Sequence, residues 1–159
     1  MYSITGNEYI EQTVEKYSQS MLRAAYAILK NEADCQDAVQ EAFLKLIYKT
    51  PEFKNEAHEK AWLLRVTINI SKNMLKASHR KNLPIDEGLS VASQQNDTVL
   101  PCVMTLEEKY RTVLHLYYYE GYSIKEIAEI LKLPAATVGT RLSRAREKLK
   151  IMLEGDFDL

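Results

Sequence analysis

From Tyr9 to Lys30 the apolar residues Ile10, Val14, Tyr17, Met21, Leu22, Ala25, Ile28 and Leu29 recur three or four positions apart. That is the period of an amphipathic helix. A second helix is predicted from about Asp34 to Tyr48, burying Ala38, Val39, Ala42, Phe43, Leu46 and Ile47. Its opening turns carry Asp34, Asp37 and Glu41, which suit the positive end of a helix dipole. The stretch TPEFKNEAHE (50–59) reads as a loop announced by Pro51. A third helix is predicted from about Lys60 to Lys81, with Trp62, Leu63, Val66, Ile70, Met74 and Leu75 inward. Trp62, an indole within an apolar stripe, is expected to pack rather than to make contacts outside the fold.

The periodicity then stops. Residues 83–101, LPIDEGLSVASQQNDTVLP, are polar, bounded by prolines and without a sustained repeat, and read as a flexible linker between two modules, 1–82 and 102–159. A helix is predicted from Leu106 to about Tyr119, followed by the turn Glu120-Gly121-Tyr122. In YSIKEIAEILKLPAATVGTRLSRAREKLK (122–150), Ser123 and Glu126 fit a capping box, and Ile124, Ile127, Ala128 and Leu131 form one apolar face. Leu133 and Pro134 mark a break. In the helix beyond it, Val138, Leu142, Ala145 and Leu149 face the core, leaving Thr140, Arg141, Arg144 and Lys148 largely away from that stripe. A capped helix, a short turn and a second helix with clustered arginines together suggest a DNA-reading helix-turn-helix. The expected fold is all-α: two small helical domains, the C-terminal one a helix-turn-helix.

Charge complicates that reading, because the 159-residue chain has a formal net charge of −1, a poor balance for a polyanion's partner. The charge is unevenly spread. Lys60, Arg65, Lys72, Lys76, Arg80 and Lys81 occur with no acid between them, whereas Glu32, Asp34 and Asp37 occur with no base. The basic helix suits nucleic acid, particularly an opened strand. The acidic helix suits a basic protein surface. No apolar run is long enough for a membrane span and the N-terminus lacks the pattern of a secretory signal, so a cytoplasmic protein is expected. Cys35, Cys102 and three scattered histidines offer no zinc spacing, and no nucleophile–base pair is evident. Neither a metal, a cofactor, a small-molecule substrate nor enzymatic activity is expected.

Three stretches, DCQDAVQEAFLKL (34–46), FKNEAHEKAWLLRVTINISKN (53–73) and YSIKEIAEIL…ATVGTRLSRAREKL, resemble the extracytoplasmic-function sigma factors of bacterial RNA polymerase, in order and over nearly the whole chain. The resemblance implies that Asp34, Asp37, Gln40 and Glu41 dock on core polymerase. It implies that the loop with Phe53, Lys54, Asn55 and His58 captures a flipped base of the promoter's −10 element, with Lys60, Asn69, Lys72 and Asn73 holding the melted strand. It further implies that Thr137, Thr140, Arg141, Arg144, Arg146 and Lys148 meet the −35 duplex, although Arg146 could instead pair with a local acid. Gly139 stands where many relatives carry Lys or Arg, and Cys35 and Gln36 stand where an acidic or small residue is usual. A monomer is implied, working with core polymerase and promoter DNA and restrained by an anti-sigma factor that could hold it at the membrane. A stand-alone helix-turn-helix regulator explains the C-terminal half equally well, but it leaves the acidic segment and the asparagine-bearing basic helix unexplained. A helical adaptor that binds only protein is a more distant alternative.

Overall fold

The computed structural model describes residues 6–80 and 99–157, with side chains for 6–80 and 101–154. The chain divides into two compact units, Met1–Glu87 and Gly88–Leu159. Most of the predicted linker and Lys81 lie outside the described residues.

The described residues of the first unit form three helices, α1 (Gly6–Leu29), α2 (Glu32–Lys49) and α3 (Glu56–Arg80), each packed against the other two. Met21, Ile28, Leu63, Leu64 and Ile68 are almost fully shielded from solvent. Burying side chains of this size stabilises the unit by about 1.5–3 kcal/mol each. Ala24, Ala25, Ala38 and Ala42 are buried between them, and such small side chains allow helices to approach closely. Two hydroxyls enter this core without loss of hydrogen bonding. Thr67 donates to the Leu63 carbonyl at 2.7 Å and Ser71 to that of Thr67 at 2.8 Å. The α1–α2 connection is short because Lys30 takes a left-handed φ of 60° and Asn31 immediately caps α2, its Oδ1 accepting the Asp34 N–H at 2.9 Å.

The second unit contains α4 (Val99–Thr105), α5 (Glu108–Leu114), a π-helical turn (His115–Tyr119), α6 (Ile124–Leu131) and α7 (Ala135–Phe157). Helix α7 packs against α4, α5 and α6, with Val138, Leu142 and Ala145 completely buried. Buried Arg111 donates to the Leu106 carbonyl at the α4–α5 junction, where burial lowers its pKa. In the π turn the Glu120 N–H reaches back to the His115 carbonyl at 3.0 Å, spanning one residue more than an α-helical bond.

Two expectations need correction. Helix α3 begins at Glu56, inside the predicted 50–59 loop, because Asn55 caps it. Helix α4 begins at Val99, inside the predicted linker, with Pro101 in the first turn, where its missing N–H is tolerated.

Candidate nucleic-acid interface

In the helix-turn-helix, Ser123 Oγ accepts the Glu126 N–H at 3.1 Å, and the Glu126 carboxylate accepts the Ser123 N–H at 2.9 Å. This reciprocal cap fixes where α6 starts. Lys132 ends α6 with a left-handed φ of 55°, and the Leu133 N–H closes on the Ala128 carbonyl at 3.0 Å. Pro134 then accepts the Thr137 N–H at 3.0 Å and the Val138 N–H at 3.2 Å, so α7 starts directly after the turn.

Along α7, Thr137, Thr140, Arg141, Arg144 and Lys148 follow a helical repeat and fall on one side. Thr140, Arg144 and Lys148 are exposed, and Thr137 and Arg141 are half-buried against the core stripe. Arg146 lies across that stripe from them. Its Nε donates to the Tyr118 hydroxyl at 2.5 Å, and its guanidinium stands 5.3 Å from the Tyr117 ring centre and 5.5 Å from that of Tyr118. The partner of Arg146 is therefore a tyrosine pair and not a local acid. The sequence signal for it was the run Tyr117-Tyr118-Tyr119, too polar at its tips for a wholly buried segment.

The second constellation is the start of α3. The Asn55 side chain accepts the His58 N–H at 2.8 Å, and the Asn55 carbonyl accepts the Glu59 N–H at 3.1 Å. His58 Nδ1 accepts the Lys54 N–H at 3.1 Å. Phe53 meets His58 edge-on at 5.4 Å and Trp62 at 5.7 Å. Asn55 and His58 thus shape the segment, which holds Phe53 half-buried and Lys54 exposed. Farther along α3, Asn69, Asn73, Lys76 and Arg80 are exposed at helical spacing and continue one polar stripe. Lys60 and Lys72 are half-buried and each already makes an interaction within the chain.

The third surface is on α2. Asp34, Asp37, Gln40 and Glu41 are all exposed. Beside them lies a groove of about 340 Å³ between α1 and α2, walled by Val14, Leu22, Val39, Phe43, Leu44 and Ile47, with Gln36 and Gln40 also lining it. Ile47, expected in the core, is instead 45% exposed, and Val14 of the α1 apolar stripe is 37% exposed. Leu44 (45%) and Tyr48 (82%) extend the apolar surface. A monomer rarely leaves such a cluster open without a partner for it. Cys35 takes no part in this surface: it is 2% exposed, and burial pushes its thiol pKa up to about 12.

A helix-turn-helix whose second helix carries clustered arginines, on one chain with a helical unit that bears an exposed stripe of asparagines and basic residues, has the layout of a nucleic-acid-binding class of protein. Two family models agree: Sigma-70 region 2 matches residues 13–81, and Sigma-70 region 4 matches residues 97–149. The chain belongs to the sigma-70 family, and its relatives are of the extracytoplasmic-function kind. It is 28% identical to the ECF RNA polymerase sigma factor SigW of Bacillus subtilis, over 88% of this chain and 86% of that one. It is likewise 28% identical to the RNA polymerase sigma-H factor of Pseudomonas aeruginosa, over 89% and 84%. Among solved structures, it matches the sigma factor RpoE in complex with the anti-sigma factor NepR from Bartonella quintana with a TM-score of 0.71 at 21% identity, covering 91% of this chain and 96% of that one. The match to CnrH in complex with the cytosolic domain of CnrY has a TM-score of 0.69 at 24% identity, covering 96% and 92%.

Proposed function

We propose that the protein is a promoter-directing initiation factor that acts only when mounted on bacterial core RNA polymerase. The acidic stripe Asp34, Asp37, Gln40 and Glu41, together with the adjoining apolar groove, docks on the polymerase. The Phe53–His58 segment and the Asn69–Asn73 stripe, assisted by Lys60 and Lys72, capture and hold the opened −10 strand. Thr137, Thr140, Arg141, Arg144 and Lys148 contact the −35 duplex, and Arg146 braces α7 from its far side. The observation that carries this reading is the presence of both sigma-70 regions, in order, on one chain.

The role is one of binding rather than bond-making. Extruding a base from a duplex costs a few kcal/mol, which a fitted pocket offsets. Holding −35 and −10 contacts on one body makes the second contact effectively intramolecular. This accounts for the net charge of −1. Phosphate contacts set salt-sensitive, non-specific affinity, so a near-neutral chain with local basic faces binds DNA weakly alone and firmly on polymerase. By analogy with the NepR and CnrY complexes, a protein inhibitor of the anti-sigma kind restrains it. No helix among the described residues is long and apolar enough to cross a membrane, and the work proposed lies in the cytoplasm.

Run-off transcription with purified core polymerase over a randomised promoter library tests the reading. Transcripts from promoters sharing two spaced elements are expected. Tight sequence-specific binding by a dimer without polymerase would favour the stand-alone regulator.

A further inference from the structure

The first turn of α3 is tied to α1 in a way that its role as a helix start does not require. Glu59 closes the Asn55 cap through its backbone N–H. Its carboxylate accepts a hydrogen bond from the Tyr9 hydroxyl, fifty positions earlier in the chain. Burial first, and then this bond to Glu59, push the Tyr9 pKa up to about 12, so the phenol remains a donor throughout the physiological range. Two turns along α1, the Tyr17 hydroxyl is also buried and lies near the Glu59 carboxylate. Burial first, and the Glu59 carboxylate second, raise its pKa as well. One turn outward, Lys16 pairs with Glu56, the first residue of α3. That outer pair is exposed and contributes little to stability. The half-buried Tyr9–Glu59 bond is the stronger tie.

Acidic residues in a first turn are satisfied by the helix dipole alone and need no partner on another helix. Here both carboxylates of the turn are engaged by α1. The segment they anchor, Phe53–His58, is held at its other end by the rings of His58 and Trp62 and by hydrogen bonds within itself. We infer that Glu59 is a positioning residue for the base-capturing segment, with Tyr9 of α1 as the strut that sets where the Asn55 cap and the Phe53 ring stand. The inference rests on the proposed role of that segment. A segment held in its capturing shape loses less freedom on binding, and affinity gained in this way needs no new contact with the base.

Three substitutions in the full chain test it. Tyr9→Phe removes only the donor, Glu59→Ala removes the acceptor, and Glu59→Gln keeps an acceptor while losing the charge. Trp62, the chain's one tryptophan, packs on Phe53 and reports the segment without polymerase. Quenching of its fluorescence by acrylamide should rise about twofold in Tyr9→Phe and Glu59→Ala and remain near wild type in Glu59→Gln. With core polymerase, permanganate reactivity of −10 thymines should fall about tenfold in the first two variants, equivalent to about 1.4 kcal/mol. Core-polymerase affinity and far-UV circular dichroism should be unchanged, with Glu59→Gln recovering most of the opening. Unchanged quenching in both Tyr9→Phe and Glu59→Ala, or Glu59→Gln as impaired as Glu59→Ala, overturns the positioning role. A wild-type chain that opens no promoter overturns the functional reading instead, and the quenching series still decides the positioning.

Discussion

Gly139 lies inside α7, and a Cβ built on it would meet nothing within 4 Å. No close approach within the unit and no left-handed φ calls for a glycine there. Glycine in a helix interior costs about 1 kcal/mol relative to alanine, because it has more backbone freedom to lose. Gly139→Ala should therefore stabilise the second unit by up to about 1 kcal/mol. For a domain of this size that corresponds to a midpoint rise of about 4–8 °C. Far-UV circular dichroism follows both units on heating, whereas Trp62 fluorescence follows the first alone, so the difference isolates the transition of interest. Gly139→Lys adds a cation where the wild type has none. On a −35 duplex it should steepen the dependence of log affinity on log salt by about one unit. An unchanged or lowered midpoint for the alanine variant would refute the reasoning, because the glycine would then serve a constraint within the fold.

Other outcomes follow from the remaining surfaces. Arg141→Ala with Arg144→Ala should abolish −35-dependent transcription while sparing core binding, whereas Arg146→Ala should act mainly by lowering the second unit's melting temperature; run-off assays and calorimetry separate the two. Ile47→Glu should weaken capture of core polymerase in a pull-down by at least tenfold with little loss of fold, since Ile47 is already half-exposed. A thiol reagent at neutral pH should modify half-buried Cys102 rapidly and Cys35 only on unfolding, as mass spectrometry of the labelled peptides would show. Burial raises Cys35 from 9.0 to about 12, and burial with Glu59 raises Tyr9 from 10.0 to about 12. The folded state thus favours the protonated forms, and stability of the first unit should be complete below about pH 9 and fall as pH climbs toward 12, as denaturant titration at successive pH values would reveal.

The parts of the fold that periodicity dictates were legible in the sequence. Val138, Leu142 and Ala145 in α7, and Tyr17, Met21, Ala25 and Ile28 in α1, are buried as their spacing required. The Ser123–Glu126 cap was readable because both of its partners are local. Helix α3 started earlier than predicted because one side chain, Asn55, decided the boundary, and nothing in the apolar pattern records a cap. Helix α4 was missed because it is a single short element whose proline mimics a break. The assignment of Ile47 to the core failed for a different reason. Apolar residues wrap α2 more widely than one packing face requires, and periodicity cannot distinguish a stripe covered by this chain from one left for a partner. The tie between Tyr9 and Glu59 was invisible because it depends on how α1 packs against α3.

The π turn at His115–Tyr119 carries one residue more than a regular helix would hold. The surplus rotates the end of the helix, stacks His115 on Tyr119 at 5.1 Å, and coincides with the tyrosine pair that grips Arg146. Deleting a single residue there would let the helix relax to ordinary winding, yet it would swing Tyr117 and Tyr118 out of register with α7. The irregularity thus acts as a spacer. It sets the seat of α7 by residue count, so a one-residue deletion here should disturb α7 even with Tyr117 and Tyr118 retained.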